Sequence, residues 1–320
     1  MLPLDQLDFA TRQKLFNDAD AARAFLESVR WPDGPVCPHC GVEGDAYKLE
    51  PKPGAKRPVR PGAYHCRTCR KQFTVTVGTV FESSRLPLNK WLYAIHLMCS
   101  SKKGISANQL ARDLGCQYKT AWFLCHRVRK AMEADPMRER LSGVVEADQT
   151  YVGGKMKGAG GGGPTVHGQK AVVFVLVSRN GDSYAEHVTS ESAASLQGVM
   201  RDLVKPDTAI MTDQHKSYTG LDAHFKSHER VDHSAGEYVR GVVHTNFAES
   251  WHSLLKRGIF GAFHHLSKKH LQRYLGEFDF RWNTRERKDW ERVVALLGQV
   301  AGKRLYYRVP KEGLRQQLAS

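Results

Sequence analysis

The chain has 320 residues, 41% of them hydrophobic, and 48 Lys and Arg against 33 Asp and Glu leave a net charge of +15. That length and apolar content exclude wholesale disorder and suit two or three folded units. The longest wholly apolar run, Ala171 to Val177, is far short of the roughly 20 residues a membrane-spanning helix needs. Acids interrupt the opening MLPLDQLDFATRQKLF, which does not read as a secretory signal, so a cytoplasmic protein with no membrane partner is expected. The basic excess then points to a nucleic acid, and to a nucleoid-associated location.

A helical segment over residues 1–35 leads into the first motif. Cys37 and Cys40 form one C-x-x-C and Cys66 and Cys69 a second, four of seven cysteines in all. Each pair is a tight turn that aims two thiolates at one point, and two such turns complete a tetrahedral zinc site. A redox dithiol needs only one pair. A zinc ribbon is therefore expected over residues 36–82, with the Pro/Lys/Arg/Gly-rich PKPGAKRPVRPG as a basic loop and KQFTVTVGTVF as the last, alternating strand. Cys99, Cys116 and Cys125 sit in apolar helical contexts and read as core thiols.

Residues 86–135 turn helical. After a break at Gly104, ISANQLARDLG and CQYKTAWFLCHRVRK have the helix, glycine turn and second helix of a helix-turn-helix. Tyr118, Lys119, Arg127, Arg129 and Lys130 on the second helix are candidate DNA contacts. A plain helical hairpin with a solvated basic face is the alternative.

Beyond Asp135-Pro136 the chain alternates strands with helices, and a domain over residues 141–295 with a tail over 296–320 is expected. Gly143 to Val152, Ala171 to Arg179 and Tyr184 to Val188 read as three antiparallel strands, the last two joined at Asn180-Gly181. A helix capped near Ser190 and a buried strand ending at Asp213 follow. This α/β order, an α+β mixed sheet, is that of an RNase H-like core.

Asp148 interrupts the first strand, Asp213 ends the fourth, and Glu249 lies on a later helix beginning near Thr245, its candidate cap. Carboxylates in neighbouring strands, with a third on a covering helix, can converge where their like charges are tolerable only with cations bound. Two magnesium (or manganese) ions there would serve phosphodiester hydrolysis or transesterification of DNA. Glu146 and Asp182 read as solvated surface carboxylates. Lys256 follows Glu249 by two helical turns, on the same face, where it can hold a phosphate, and Arg257 adds charge beside it. Asn246 and His252 flank Glu249 by three residues on either side. Spacing leaves Asn246 open as the third ligand, although a carboxylate suits a hard cation better than an amide.

The segments VVEADQTYVGGK, MTDQHKSY and VHTNFAESWHSLLKRGIFGAFHHLSKKHLQRYLGEFDFRWNTR together resemble the bacterial insertion-sequence DDE transposases, in particular the group with an N-terminal zinc ribbon. The resemblance runs from about residue 15 to about residue 290. It implies an RNase H-like catalytic domain, Asp148, Asp213 and Glu249 as the metal triad, and Lys256 as the accompanying base. It further implies terminal inverted repeats and target DNA as partners, water attack that frees a 3′-hydroxyl, strand transfer by that hydroxyl, and a homo-oligomer on paired ends. Some members are described with asparagine for the third acid, which keeps Asn246 in view. KMKGAGGGGPTVHG departs from the expected Lys/Arg-rich loop, leaving Lys155 and Lys157 as its basic residues. Two other readings compete: a DNA-binding regulator with an inactive nuclease-like domain, and an RNase H-like nuclease without strand transfer. Inverted repeats flanking the coding DNA would separate them from a transposase.

Overall fold

The computed structural model describes residues 8–50, 54, 58–134, 140–153 and 170–307. Lys155 and Lys157, and half of the basic loop of the ribbon, lie outside the described residues. The chain divides into two compact units, one of residues 1–101, 107–132 and 287–320, the other of residues 102–106 and 133–286. No helix among the described residues is long and apolar enough to cross a membrane.

The first unit opens with α1 (Phe9–Asn17) and α2 (Ala19–Arg30). Asp18 starts α2 by accepting hydrogen bonds from the backbone N–H groups of Asp20 and Ala21, two of the donors a helix start leaves unpaired. The ribbon strands β1 (Ala46–Lys48), β2 (Tyr64–Cys66) and β3 (Gln72–Phe73) pair antiparallel in that order. The long last strand expected of the ribbon stops after two residues. Val77 N donates to Thr74 O, and the chain turns while Phe73 and Val75 stay buried, so the alternation marks burial and not a ladder. Trp31 stands edge-on to Tyr64 and Phe73 and ties α2 to the ribbon.

Three further helices follow, α3 (Leu88–Ser100), α4 (Ala107–Leu114) and α5 (Tyr118–Met132). Gly115, in the left-handed conformation at φ 59°, permits the turn between α4 and α5. Cys99 and Cys125 are buried, as expected of core thiols, whereas Cys116 is only half-buried.

The second unit is a five-stranded mixed sheet, in the order β6-β5-β4-β7-β8, built from β4 (Val144–Val152), β5 (Ala171–Ser178), β6 (Ser183–Val188), β7 (Ala209–Asp213) and β8 (Ser227–Val231). β4, β5 and β6 pair antiparallel, whereas β7 and β8 run parallel to β4, which gives the RNase H-like arrangement. Both faces of β4 are covered. Val145 and Ala147 face a core with Phe174, Leu176, Leu196 and Met200, the last two from α6 (Ala193–Leu203). On the other face Val152, Val173, Val175 and Val177 meet Ala248, Trp251 and Leu255 of α7 (Asn246–Gly258) and Leu271, Leu275 and Phe278 of α8 (Leu271–Asn283). The sheet therefore lies between α6 on one side and α7 with α8 on the other. The small hairpin β9 (Val239–Arg240) and β10 (Val243–His244) leads directly into α7.

α8 also closes the exposed edge of the sheet. Asp279 accepts from Ser183 Oγ and from Ala185 N, Asn283 accepts from Ser183 N, and Gln272 accepts from His187 N. These bonds occupy the donors through which an open strand edge recruits another strand. Trp282 is buried in the same core.

Several boundaries differ from the sequence reading. α6 is capped by Ser192, whose hydroxyl accepts from Ser195 N, not by Ser190. The catalytic domain does not extend to 295 with a tail behind it. α9 (Asp289–Gly298) belongs to the first unit, where Trp290 stacks with Phe16 and His96 and meets Phe25 edge-on. Beyond it, Ala301 bridges to Thr79 and Arg304 pairs with Glu82, so the described part of the expected tail is structured. The segments expected over 1–35 and 36–82 share that one unit with most of the segment expected over 86–135, of which residues 102–106 and 133–135 fall in the second.

Candidate active site and zinc centre

The four ribbon cysteines come together. Cys37 Sγ lies 3.6 Å from Cys69 Sγ and Cys40 Sγ 3.7 Å from Cys66 Sγ. All four sulfurs fall within 4.8 Å of one another. The two turns repeat one design: Gly41 N donates to Cys37 O and Arg70 N donates to Cys66 O, with Gly41 at φ 76° and Arg70 at φ 58°. Cys69 N points at Cys66 Sγ from 3.5 Å, and that N–H first among several influences draws the Cys66 thiol down to about 7. A sulfur poised to ionise within a tetrahedron of thiols fits a structural zinc ion.

The carboxylates are assembled by the sheet. Glu146 on β4 pairs in register with Met211 on the parallel β7, and two residues further along each strand stand Asp148 and Asp213. Side chains repeat their face every two residues, so register alone sets these two acids beside each other. Burial raises the Asp213 carboxyl above its ordinary value; the nearby charge of Asp148 raises it too, opposed by a 3.0 Å bond from His215 N. Asp148 Oδ1 accepts from Gln149 N at 2.8 Å, and its Oδ2 lies 3.3 Å from Nδ1 of the buried His252.

Glu249 lies in the first turn of α7, about half exposed, with His233 Nε2 3.9 Å from its carboxylate. The three acids do not close on one point. Among the described residues only the cysteines form a group of three or more ligand atoms all within 4.8 Å of one another. Oxygen-only donors in this number favour a hard divalent cation.

Lys256 and Arg257 are exposed on α7, and Asn246 is exposed at its first residue. Tyr118 and Lys119 are exposed at the start of α5 and Lys130 is half-buried. Two expected DNA contacts must be withdrawn. Arg127 is buried, its guanidinium 4.9 Å from the Trp91 ring centre and donating to Glu82 O, and burial lowers its pKa to about 10. Arg129 is 2% exposed. Helical periodicity showed that both lie on α5 but not that its basic stripe turns inward.

Glu146 is the largest correction. Taken for a surface acid, it is 0% exposed and pairs with Arg179 Nε at 2.7 Å. Its place two residues before Asp148, hence on the same face of β4, was the available signal. Thr245, expected to cap α7, makes no capping bond with its side chain, and Glu146 takes those N–H groups instead. The residue reading also passed over Tyr218, which is fully buried and donates its hydroxyl to Gln149 Oε1, bracing the residue next to Asp148. Burial first, and then the charges of Asp148, Asp213 and Glu191, hold that phenol well above its ordinary pKa, so it remains a donor.

Both parts of the chain resemble known proteins. The ISXO2-like transposase domain matches residues 140–283 and the transposase zinc-ribbon domain matches residues 17–72. A Halobacterium salinarum protein, described as uncharacterized and lying in transposable element ISH50, is 30% identical over 288 residues, 84% of this chain and 92% of its own. An uncharacterized transposase-like protein of Haemophilus influenzae is 32% identical over 117 residues, 37% of this chain and 91% of its own. A pre-cleavage Mos1 transpososome aligns with 63% of this chain and 75% of its own at 15% identity, with a TM-score of 0.23. Matched through its ribbon and its catalytic core, the chain belongs to the insertion-sequence transposases that carry a zinc ribbon ahead of an ISXO2-like DDE domain.

Proposed function

We propose that this transposase binds the terminal inverted repeats of its element and catalyses phosphodiester hydrolysis and strand transfer into target DNA, with Asp148, Asp213 and Glu249 as the ligands of two magnesium or manganese ions. The observation that carries the reading is the placement of Asp148 and Asp213 two residues beyond the last in-register pair of the parallel β4 and β7, where desolvation and like charge burden the metal-free Asp213 and a cation would relieve both. When bound, such ions supply Lewis-acid stabilisation to the attacking and leaving oxygens of an in-line displacement.

The remaining work falls to the chain. His252 holds the Asp148 carboxylate by one oxygen and leaves the other directed elsewhere. Lys256 on the exposed face of α7 holds a phosphate beside Glu249, and Arg257 adds a second contact. Asn246 borders the site without serving as a ligand. The cysteine ribbon holds structural zinc and, with Tyr118, Lys119 and Lys130, recognises the ends. A homo-oligomer acts on paired ends, in a cytoplasmic, nucleoid-associated assembly.

The test is magnesium-dependent cleavage and joining of a fragment carrying the element's ends, by wild type, Glu249→Ala and Asn246→Ala. Joined product lost only with Glu249→Ala is the expected result. A dead Asn246→Ala with active Glu249→Ala overturns the triad, cleavage without joining indicates a nuclease, and binding without either reaction indicates a regulator.

A further inference from the structure

Glu146 performs no step in the chemistry above, yet it is the most completely enclosed carboxylate near the site. Its two oxygens are divided between two tasks. Oε1 accepts from Arg179 Nε at 2.7 Å and lies 3.1 Å from His244 Nδ1. Oε2 accepts from the backbone N–H groups of Phe247 at 2.7 Å and Ala248 at 3.2 Å. Those donors belong to the first turn of α7, whose own cap residue leaves them unpaired, and the helix dipole adds to their pull on an anion.

Arg179 extends the connection. It leaves the end of β5, donates to Val242 O and His244 O, and so fastens the strand that leads into α7. One buried carboxylate thus joins β4, two residues before Asp148, to the helix turn that carries Glu249. A partly exposed acid on a mobile helix start would wander relative to an acid fixed in a sheet. A charged clamp between the two elements limits that motion.

We propose that Glu146, held by Arg179, is a positioning residue that sets the first turn of α7 against β4 and thereby fixes the distance between Glu249 and Asp148 for binding the catalytic cations. The proposal rests on the metal role assigned to those two acids. Glu146→Gln is the informative change, because the amide must turn its NH2 toward either Arg179 or the helix N–H groups and so sets donor against donor. Arg179 retains two carbonyl acceptors in that variant, which favours a folded protein.

The experiment measures Mn2+ affinity of the full chain with zinc retained, amide exchange at Phe247 and Ala248 without Mn2+, and affinity for end DNA. For Glu146→Gln, Mn2+ affinity is expected to fall about 10- to 100-fold, the two amides to exchange faster, and end affinity to stay within about twofold. Should the glutamine variant fail to fold, Glu146→Asp, which keeps the charge but falls one methylene short, carries the same test with a smaller loss. Unchanged Mn2+ affinity with faster amide exchange would reduce Glu146 to a helix anchor. Parallel loss of end binding, melting temperature and Mn2+ affinity would make it merely structural. A wild-type protein with no Mn2+ site sensitive to Asp148→Asn refutes the metal reading itself, a result distinct from the other two.

Discussion

The cysteine centre and the carboxylate site are both ligand sets, assembled by opposite routes. Within each cysteine pair two residues separate the ligands, and a tight turn with a left-handed residue behind it brings both sulfurs to one side. The carboxylates come from β4, the end of β7 and the first turn of α7, and no local spacing sets where one stands relative to another. A site built from turns carries its geometry in its spacing. A site built from a sheet and a helix inherits its geometry from the whole core, and needs buried braces such as Glu146 and Tyr218 to hold it.

That contrast predicts where damage spreads. Cys37→Ser should have the largest effect, emptying the ribbon of zinc and unfolding it, because binding of such an ion contributes on the order of 10 kcal/mol of folding free energy. Zinc analysis and end-DNA binding check it, and Mn2+ binding by the second unit should survive. A Cys37→Ser protein with full zinc content would break the comparison. Asp148→Asn or Asp213→Asn should lower cleavage by a factor on the order of 10³ or more while end binding stays within about twofold, as gel-shift and cleavage assays on one substrate would show.

Core damage should be local to its unit. Trp251, fully buried between α7 and the sheet, should cost about 3–5 kcal/mol when changed to Ala, seen as an earlier melting step with zinc content unchanged. On α5, Lys119→Ala should weaken DNA binding by a few fold and reduce the salt slope by about one, whereas Arg127→Ala should lower thermal stability with little change in that slope. Equal salt slopes for the two variants would restore Arg127 as a DNA contact.

The smallest effect concerns pH. Because the folded Asp213 carboxyl is raised above its unfolded value, its ionised form penalises the metal-free fold above the folded pKa, and the penalty vanishes below the unfolded one. Asp213→Asn should therefore raise the metal-free melting temperature at neutral pH by about 1–2 °C, with the gain gone in acid. A gain that persists or grows in acid would contradict that sign.

Much of this was legible in one dimension. The Cys37/Cys40 and Cys66/Cys69 pairs, the strands β4 and β5, and the glycine turn between α4 and α5 are local patterns, since turns, strands and helices impose their periods on the residues that form them. Tertiary structure alone decided that Glu146 is buried against Arg179 and the start of α7, that Arg127 and Arg129 turn inward, and that α9 joins the N-terminal unit and not the catalytic one. Each of these depends on which surface meets which across long stretches of chain, where a charge becomes a buried brace or a solvated group according to a partner that no local spacing specifies.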